Sequence, residues 1–177
     1  MSAEFDLDAA IRRIPDFPKP GVLFYDITSV LVNPEAFGFC VQTMIDLYRD
    51  RAVDSIIAVE SRGFVFGAPL AHELGVPLVL ARKQGKLPGP TYRRTYSLEY
   101  GTDTIEVHRA DLNSGDRVLI VDDLVATGGT LKATVELVLE VGGTVEEVFS
   151  VIGLPFLGYA AKLNPIHVET LIDFMGE

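Results

Sequence analysis

The stretch from Arg117 to Lys132 constrains this chain more than any other. Val118 to Val121 is a continuous apolar run, the pattern of a strand covered on both faces, as in a parallel sheet. Asp122 and Asp123 follow, then the small-residue loop Ala126-Thr127-Gly128-Gly129-Thr130, then a helical pattern in which Leu131, Val135, Val138 and Val141 form the apolar stripe. The two glycines let the backbone turn tightly and approach a ligand without a Cβ in the way. A helix N-terminus offers N–H groups with no partner inside the helix, and its dipole favours an anion. With the hydroxyls of Thr127 and Thr130 at the same end, the loop reads as a phosphate cradle. Two carboxylates beside it suit neither a phosphate nor an apolar core; they suit the hydroxyls of a sugar or a hydrated cation.

The chain around this stretch reads as one α/β domain over residues 1–177. Ser55 to Val59 and Pro77 to Ala81 are two further buried strands, separated by a helix that runs to about Leu74 with Gly75 as its C-terminal cap. Strand, helix, strand at this spacing is a βαβ unit, and the pattern recurs from Val118 into the segment 145–154. Asn33 before Pro34 is an N-cap with proline at the first helical position, and Phe37, Val41, Met44, Ile45 and Tyr48 line that helix. Residues 8–14 predict a short helix ended by Pro15, followed by a proline-rich turn and an extended arm over 22–28. Gln84 to Thr95 predicts a loop, 96–101 and 104–108 two antiparallel strands, and Asn113 to Asp116 a turn. After Leu154 the pattern gives a short helix near 158–163 and a strand over 166–171.

Several function classes are excluded early. A formal net charge of −10 opposes a nucleic-acid or anionic-membrane surface. The apolar run near 151–161 is too short and too interrupted to span a bilayer. The start, acidic and without an apolar core, shows no signal peptide, so a soluble cytoplasmic domain is expected. The lone Cys40 falls on an apolar helical pattern and reads as a small buried hydrophobe. No dinucleotide fingerprint, P-loop or Gly-x-Ser-x-Gly elbow occurs. His72, His108 and His167 lack ligand-spaced partners, so no protein metal cluster is expected.

What remains is a set of strand exits. In open parallel α/β sheets, ligands bind outside the carboxyl ends of the strands. Here those ends carry Glu60-Ser61-Arg62-Gly63, Arg82-Lys83, and Asp122-Asp123 with the cradle. Arg82, Lys83, Lys86, Arg93 and Arg94 place five of the 15 basic residues within thirteen positions. In an acidic chain that is a local anion site, and the glycines and prolines among them predict a mobile lid. A cradle and a separate basic cluster together imply a ligand with two anionic groups.

The segment 118–130 resembles the phosphoribosyl pyrophosphate motif of the type I phosphoribosyltransferases. Residues 20–24, 60–64, 82–89 and 96–101 narrow the resemblance to the adenine phosphoribosyltransferase family, from about residue 11 to 157. It implies a central, mainly parallel twisted sheet flanked by helices, with a small hood made from about residues 1–30 and 154–177. It also implies a purine-salvage reaction: transfer of the phosphoribosyl group of phosphoribosyl pyrophosphate to adenine, giving AMP and pyrophosphate, with substrate-bound magnesium and a homodimeric enzyme. Carried over by position, Ala126, Thr127, Gly128, Gly129 and Thr130 hold the 5′-phosphate, and Asp122 and Asp123 the ribose. Ser61, Arg62, Lys83 and Lys86 hold pyrophosphate with Arg82 nearby, and a non-proline cis peptide is expected at Ser61-Arg62. Phe24 stacks on the purine, Leu154 covers its other face, and backbone around Leu23 and Tyr25 reads its edge. Glu99 exchanges a proton with the ring.

One position departs from the pattern. Tyr25 stands where relatives usually carry Arg or Lys. It leaves hypoxanthine, guanine or xanthine as alternative bases. A non-catalytic regulator that keeps the site but binds DNA is opposed by the acidic charge and by the lack of an added basic domain.

Overall fold

The computed structural model describes residues 5–97 and 101–176. Its centre is a seven-stranded sheet in the order β5-β6-β4-β3-β7-β8-β9. The strands are β3 (Ser55–Val59), β4 (Leu78–Lys83), β5 (Thr91–Ser97), β6 (Thr102–His108), β7 (Arg117–Val125), β8 (Thr144–Gly153) and β9 (Val168–Asp173). The β4-β3-β7-β8-β9 half is parallel, and the β5–β6 hairpin joins β4 antiparallel. A separate ribbon pairs β1 (Arg12–Ile14) with β2 (Phe24–Asp26), antiparallel.

The expected burial on both faces is present. Leu119 and Val121 pack with helices α3 (Pro34–Tyr48) and α4 (Gly63–Leu74), whereas Val118 and Ile120 pack with α5 (Gly129–Val141). Cys40 is buried in the first layer, and desolvation pushes its thiol up to about 12, which keeps it protonated and inert. Asn33 caps α3 through its side-chain oxygen, which accepts from the N–H groups of Glu35 and Ala36 at 3.1 and 3.2 Å. Gly75 ends α4 in the left-handed region.

Strand order also explains where a ligand can sit. The chain leaves β3, passes through α4 and returns as β4 on one side. It leaves β7, passes through α5 and returns as β8 on the other. β3 and β7 are neighbours, so their exits diverge and open a crevice between Glu60 to Arg62 and Asp122 to Asp123. Gly63 makes that crevice narrow: a Cβ there would lie 2.7 Å from the Val121 carbonyl oxygen and 3.1 Å from the Asp122 Cα.

Three local expectations are corrected. The helix predicted over 8–14 is one turn, α1 (Leu7–Ala10), because Arg12 to Ile14 pair with the arm instead. The arm runs directly into a short helix, α2 (Thr28–Leu31), that no apolar period announced. The predicted loop 84–95 ends at Pro90, since Thr91 to Ser97 form a full strand against β6. The C-terminal part of the expected hood divides. After α6 (Tyr159–Leu163), β9 lengthens the large sheet, and Phe174 just beyond it packs on Tyr25 of the arm.

Candidate active site

Three cavities open at the strand exits. The largest, about 500 Å³, is lined by Glu60, Ser61, Arg62, Lys83, Lys86, Tyr96, Asp103, Asp122, Asp123, Leu124 and Thr130, over a floor of Val59 and Ile105. The second, about 310 Å³ and mostly apolar, is lined by Ile14, Phe17, Phe24, Tyr25, Asp26, Ile27, Thr28, Arg62 and Leu124. The third, about 120 Å³, is the predicted cradle: Ala126 to Thr130, with Asp122, Leu124, Val125 and Leu131. Leu124 lines all three, and Arg62 joins the first to the second.

The cradle forms because Gly128 takes a left-handed conformation at φ 73° and caps α5 without a side chain. A Cβ on Gly128 would also crowd Tyr159 at 3.2 Å. The Thr130 hydroxyl donates to the Tyr96 hydroxyl at 3.0 Å, so β5 lies directly against the cradle.

Each basic residue of the largest cavity has an acidic partner. The Arg62 Nε donates to Asp123 Oδ2 at 2.7 Å. Burial disfavours the Arg62 cation, but the Asp123 carboxylate outweighs it and raises the pKa. Lys83 pairs with Asp103 at 3.0 Å; the shared hydrogen bond raises the lysine's pKa and lowers the carboxyl's. Lys86 pairs with Glu60, whose other oxygen accepts the Lys83 N–H at 3.0 Å and faces Arg82 Nε at 3.4 Å. Burial opposes the Glu60 charge, yet Lys86, the Lys83 N–H and Arg82 together hold its pKa below the usual value.

Asp122 differs. Desolvation, then the neighbouring Asp123 carboxylate, raise its pKa well above the ordinary 3.8, against the pull of Arg62. Its Oδ1 accepts the Asp123 N–H at 2.9 Å, which fixes the side chain near the carboxyl end of the central strand β7.

The five-residue basic cluster separates in space. Lys83 and Lys86 line the large cavity. Arg82 does not; it donates to Glu60 and to the Lys86 carbonyl and so holds the turn that carries Lys86. Arg93 is tied to the fully buried Glu106 at 2.7 Å, and Arg94 to Glu140 at 2.6 Å on α5. These last two brace the hairpin. Ser61 lies at the cavity rim, and the non-proline cis peptide is Glu60-Ser61, one bond before the expected place.

The apolar cavity brings Phe24 and Tyr25 together with Arg62. Phe17 meets Phe24 edge-on, with ring centroids 5.0 Å apart. The Tyr25 ring is buried and stacked on Phe174, so an aromatic residue here serves the core of the arm. Leu23 packs at the edge of that core. Leu154 is buried at the end of β8, held by its N–H to the Val125 carbonyl at 2.9 Å, and lies outside the lining of this cavity. Glu99 lies outside the described residues.

Sequence reading missed several lining residues. Phe17 lies in a proline-rich segment that predicts only a turn, Asp103 falls between the two predicted strands with no motif of its own, and Tyr96 opens the 96–101 stretch without an assigned role. Leu124 stands inside the 118–130 segment, between the aspartates and the cradle, but as an apolar residue it carries no assigned role there. His167, thought partnerless, lies 3.2 Å from Glu169 and 3.6 Å from Glu147, and these three form the one His and carboxylate grouping with metal-ligand spacing among the described residues. Glu147 is already engaged there by the Tyr48 hydroxyl and Arg51.

The family model for the phosphoribosyl transferase domain matches residues 27–153. An adenine phosphoribosyltransferase of Treponema denticola is 53% identical over 171 residues, covering 97% of this chain and 90% of the relative. The crystal structure of adenine phosphoribosyltransferase from Thermoanaerobacter pseudethanolicus superposes with a TM-score of 0.90 at 46% identity, covering 95% of this chain and 98% of the other. The Saccharomyces cerevisiae adenine phosphoribosyltransferase, solved in complex with an imino-altritol bisphosphate and adenine, gives a TM-score of 0.87 at 39% identity over 94% of this chain and 96% of the other. With this identity over almost the whole length, the chain belongs to the adenine phosphoribosyltransferase family, within the phosphoribosyl transferase domain family.

Proposed function

We propose that this chain transfers the 5-phosphoribosyl group of phosphoribosyl pyrophosphate to adenine, giving AMP and pyrophosphate in purine salvage. The observation that carries the reading is the meeting of three cavities at Leu124: one cradle for a phosphate, one apolar slot that admits a flat base, and one charged chamber between them and Arg62. The yeast relative holds adenine, which fits the slot.

In this reading Ala126 to Thr130 bind the 5′-phosphate through backbone N–H groups and the Thr127 and Thr130 hydroxyls. Asp122 and Asp123 face the ribose. As the bond from ribose C1 to the pyrophosphate oxygen breaks, positive charge develops on the sugar, as in glycoside hydrolysis. Carboxylates already in place favour that charge without reorganising. The purine nitrogen then bonds to C1, and its proton passes to Glu99. Ser61, Arg62, Lys83 and Lys86 receive the departing pyrophosphate, and Arg82 holds Lys86 in position. Phe24 and Phe17 form the aromatic wall of the purine slot, and backbone at Leu23 and Tyr25 reads the base edge, with Leu154 behind.

The chamber carries four carboxylates, Glu60, Asp103, Asp122 and Asp123, against three cations. A pyrophosphate group therefore enters with compensating positive charge, and magnesium carried on the substrate supplies it, since magnesium prefers phosphate oxygens and water to an all-protein cage. Among the described residues no helix is long and apolar enough to cross a membrane. We place the enzyme in the cytoplasm, as a homodimer whose hood is the arm and the segment after Leu154.

A spectrophotometric assay of AMP formation, with adenine, hypoxanthine, guanine and xanthine in competition, tests the reading. Adenine is expected to be the preferred base. Turnover of guanine without adenine would sink it.

A further inference from the structure

The ribbon that carries the purine slot is too small to hold its own place. β1 and β2 have three residues each and pair only with one another, and an isolated two-stranded ribbon is marginal in water even when longer. Something outside the ribbon must fix it. Buried neighbours of the arm hold it from one side, and one aromatic contact joins it to the C-terminal segment. Tyr25, in the middle of β2, stacks on Phe174 with ring centroids 4.0 Å apart and planes 7° from parallel. The Arg13 guanidinium, directly opposite Tyr25 in the ribbon, lies 4.9 Å from the Phe174 centroid and 5.8 Å from that of Tyr25. Both rings are buried.

Phe174 is itself tied to the catalytic end of the sheet. Its N–H donates to the Gly153 carbonyl at 3.0 Å, and the next residue, Leu154, donates to the Val125 carbonyl at 2.9 Å. Val125 follows Asp122 to Leu124 on β7. Backbone hydrogen bonds therefore anchor Phe174 to the ends of β8 and β7, and stacked rings carry that anchor to Tyr25, the residue after Phe24.

We infer that Phe174 is a positioning residue for the purine slot, acting through Tyr25, and that the segment after β9 sets the affinity for the base independently of the phosphoribosyl end. The inference rests on the proposed purine reading of the slot. Nothing at Phe174 touches the cradle or the charged chamber, so its effect should separate by substrate.

The test is steady-state kinetics on the full chain for Phe174→Ala, Phe174→Leu, Tyr25→Ala and Tyr25→Phe. Losing the stack should raise the KM for adenine about tenfold, while the KM for phosphoribosyl pyrophosphate stays within about twofold. Tyr25→Phe, which keeps the stack, should raise the KM for adenine less than Tyr25→Ala does. The Tyr25→Ala/Phe174→Ala pair should be no worse than either single variant. Phe174→Leu keeps apolar bulk without the ring and serves if the alanine variant does not fold. Equal rises in both KM values, or additive single effects, would overturn the inference.

A readout without substrate keeps the two hypotheses apart. The sequence contains no tryptophan, so Phe24→Trp places a single emitter in the slot. Adding Phe174→Leu should shift its emission to the red and increase quenching by acrylamide, and an unchanged spectrum would overturn the positioning role. A parent protein that makes no AMP from adenine would instead defeat the purine reading, and the emission would still decide the role of Phe174.

Discussion

Asp122 and Asp123 are adjacent in sequence and opposite in circumstance. Asp123 has a guanidinium on one oxygen; Asp122 accepts a backbone N–H, has a like charge beside it and feels the same guanidinium only at a distance. Asp123→Asn should lower kcat by about 100-fold, because it removes charge complementary to the transition state. Its AMP affinity should change far less, as measured by calorimetry. For Asp122 the sign of the stability effect follows from its raised pKa. The folded state holds the Asp122 proton more tightly than the unfolded chain does, so stability is greatest below the ordinary 3.8 and is lost as pH rises through the folded pKa. Asp122→Asn should therefore raise the melting temperature at neutral pH, with the gain shrinking in acid, while activity falls. Melting curves across pH check this. The aspartate pair and the cradle were legible in the sequence because strand, carboxylates, glycines and helix lie in one run. Their inequality was not, since Arg62 lies 61 positions away and comes to Asp123 through the pairing of β3 with β7.

Elements were readable where one local signal acted alone. α3 has its Asn33-Pro34 start, and its removal is a clean control. Asn33→Ala should cost about 1 kcal/mol of stability in denaturant titration and leave both KM values unchanged. β5 was unreadable for the opposite reason. Its alternating residues include Arg93 and Arg94, which look like solvated charge until Glu106, Glu136 and Glu140 are placed beside them. The arm misled in the same way: Arg12 to Ile14 follow a helical turn, and only the partner strand at Phe24 to Asp26 extends them. The loop that carries Lys86 is an element of the site, and Lys86→Ala should raise the KM for phosphoribosyl pyrophosphate and the product constant for pyrophosphate. An effect on adenine affinity alone, in the same product-inhibition experiments, would displace Lys86 from the pyrophosphate end.

At the scale of the molecule, the α/β class and the parallel core followed from apolar runs and their spacing. The order of strands did not, and that order opens the crevice. Because β3 and β7 are neighbours with diverging exits, residues from three separate stretches converge on one side chain, Leu124. A wall common to three chambers cannot be altered for one tenant. Leu124→Ala should raise the KM for adenine and for phosphoribosyl pyrophosphate together, each about fivefold, in the same assay that separates them for Phe174. Base preference in this fold can therefore drift through Phe17 or Ile14, which border the slot alone, whereas Leu124 holds the two substrates to a common fate.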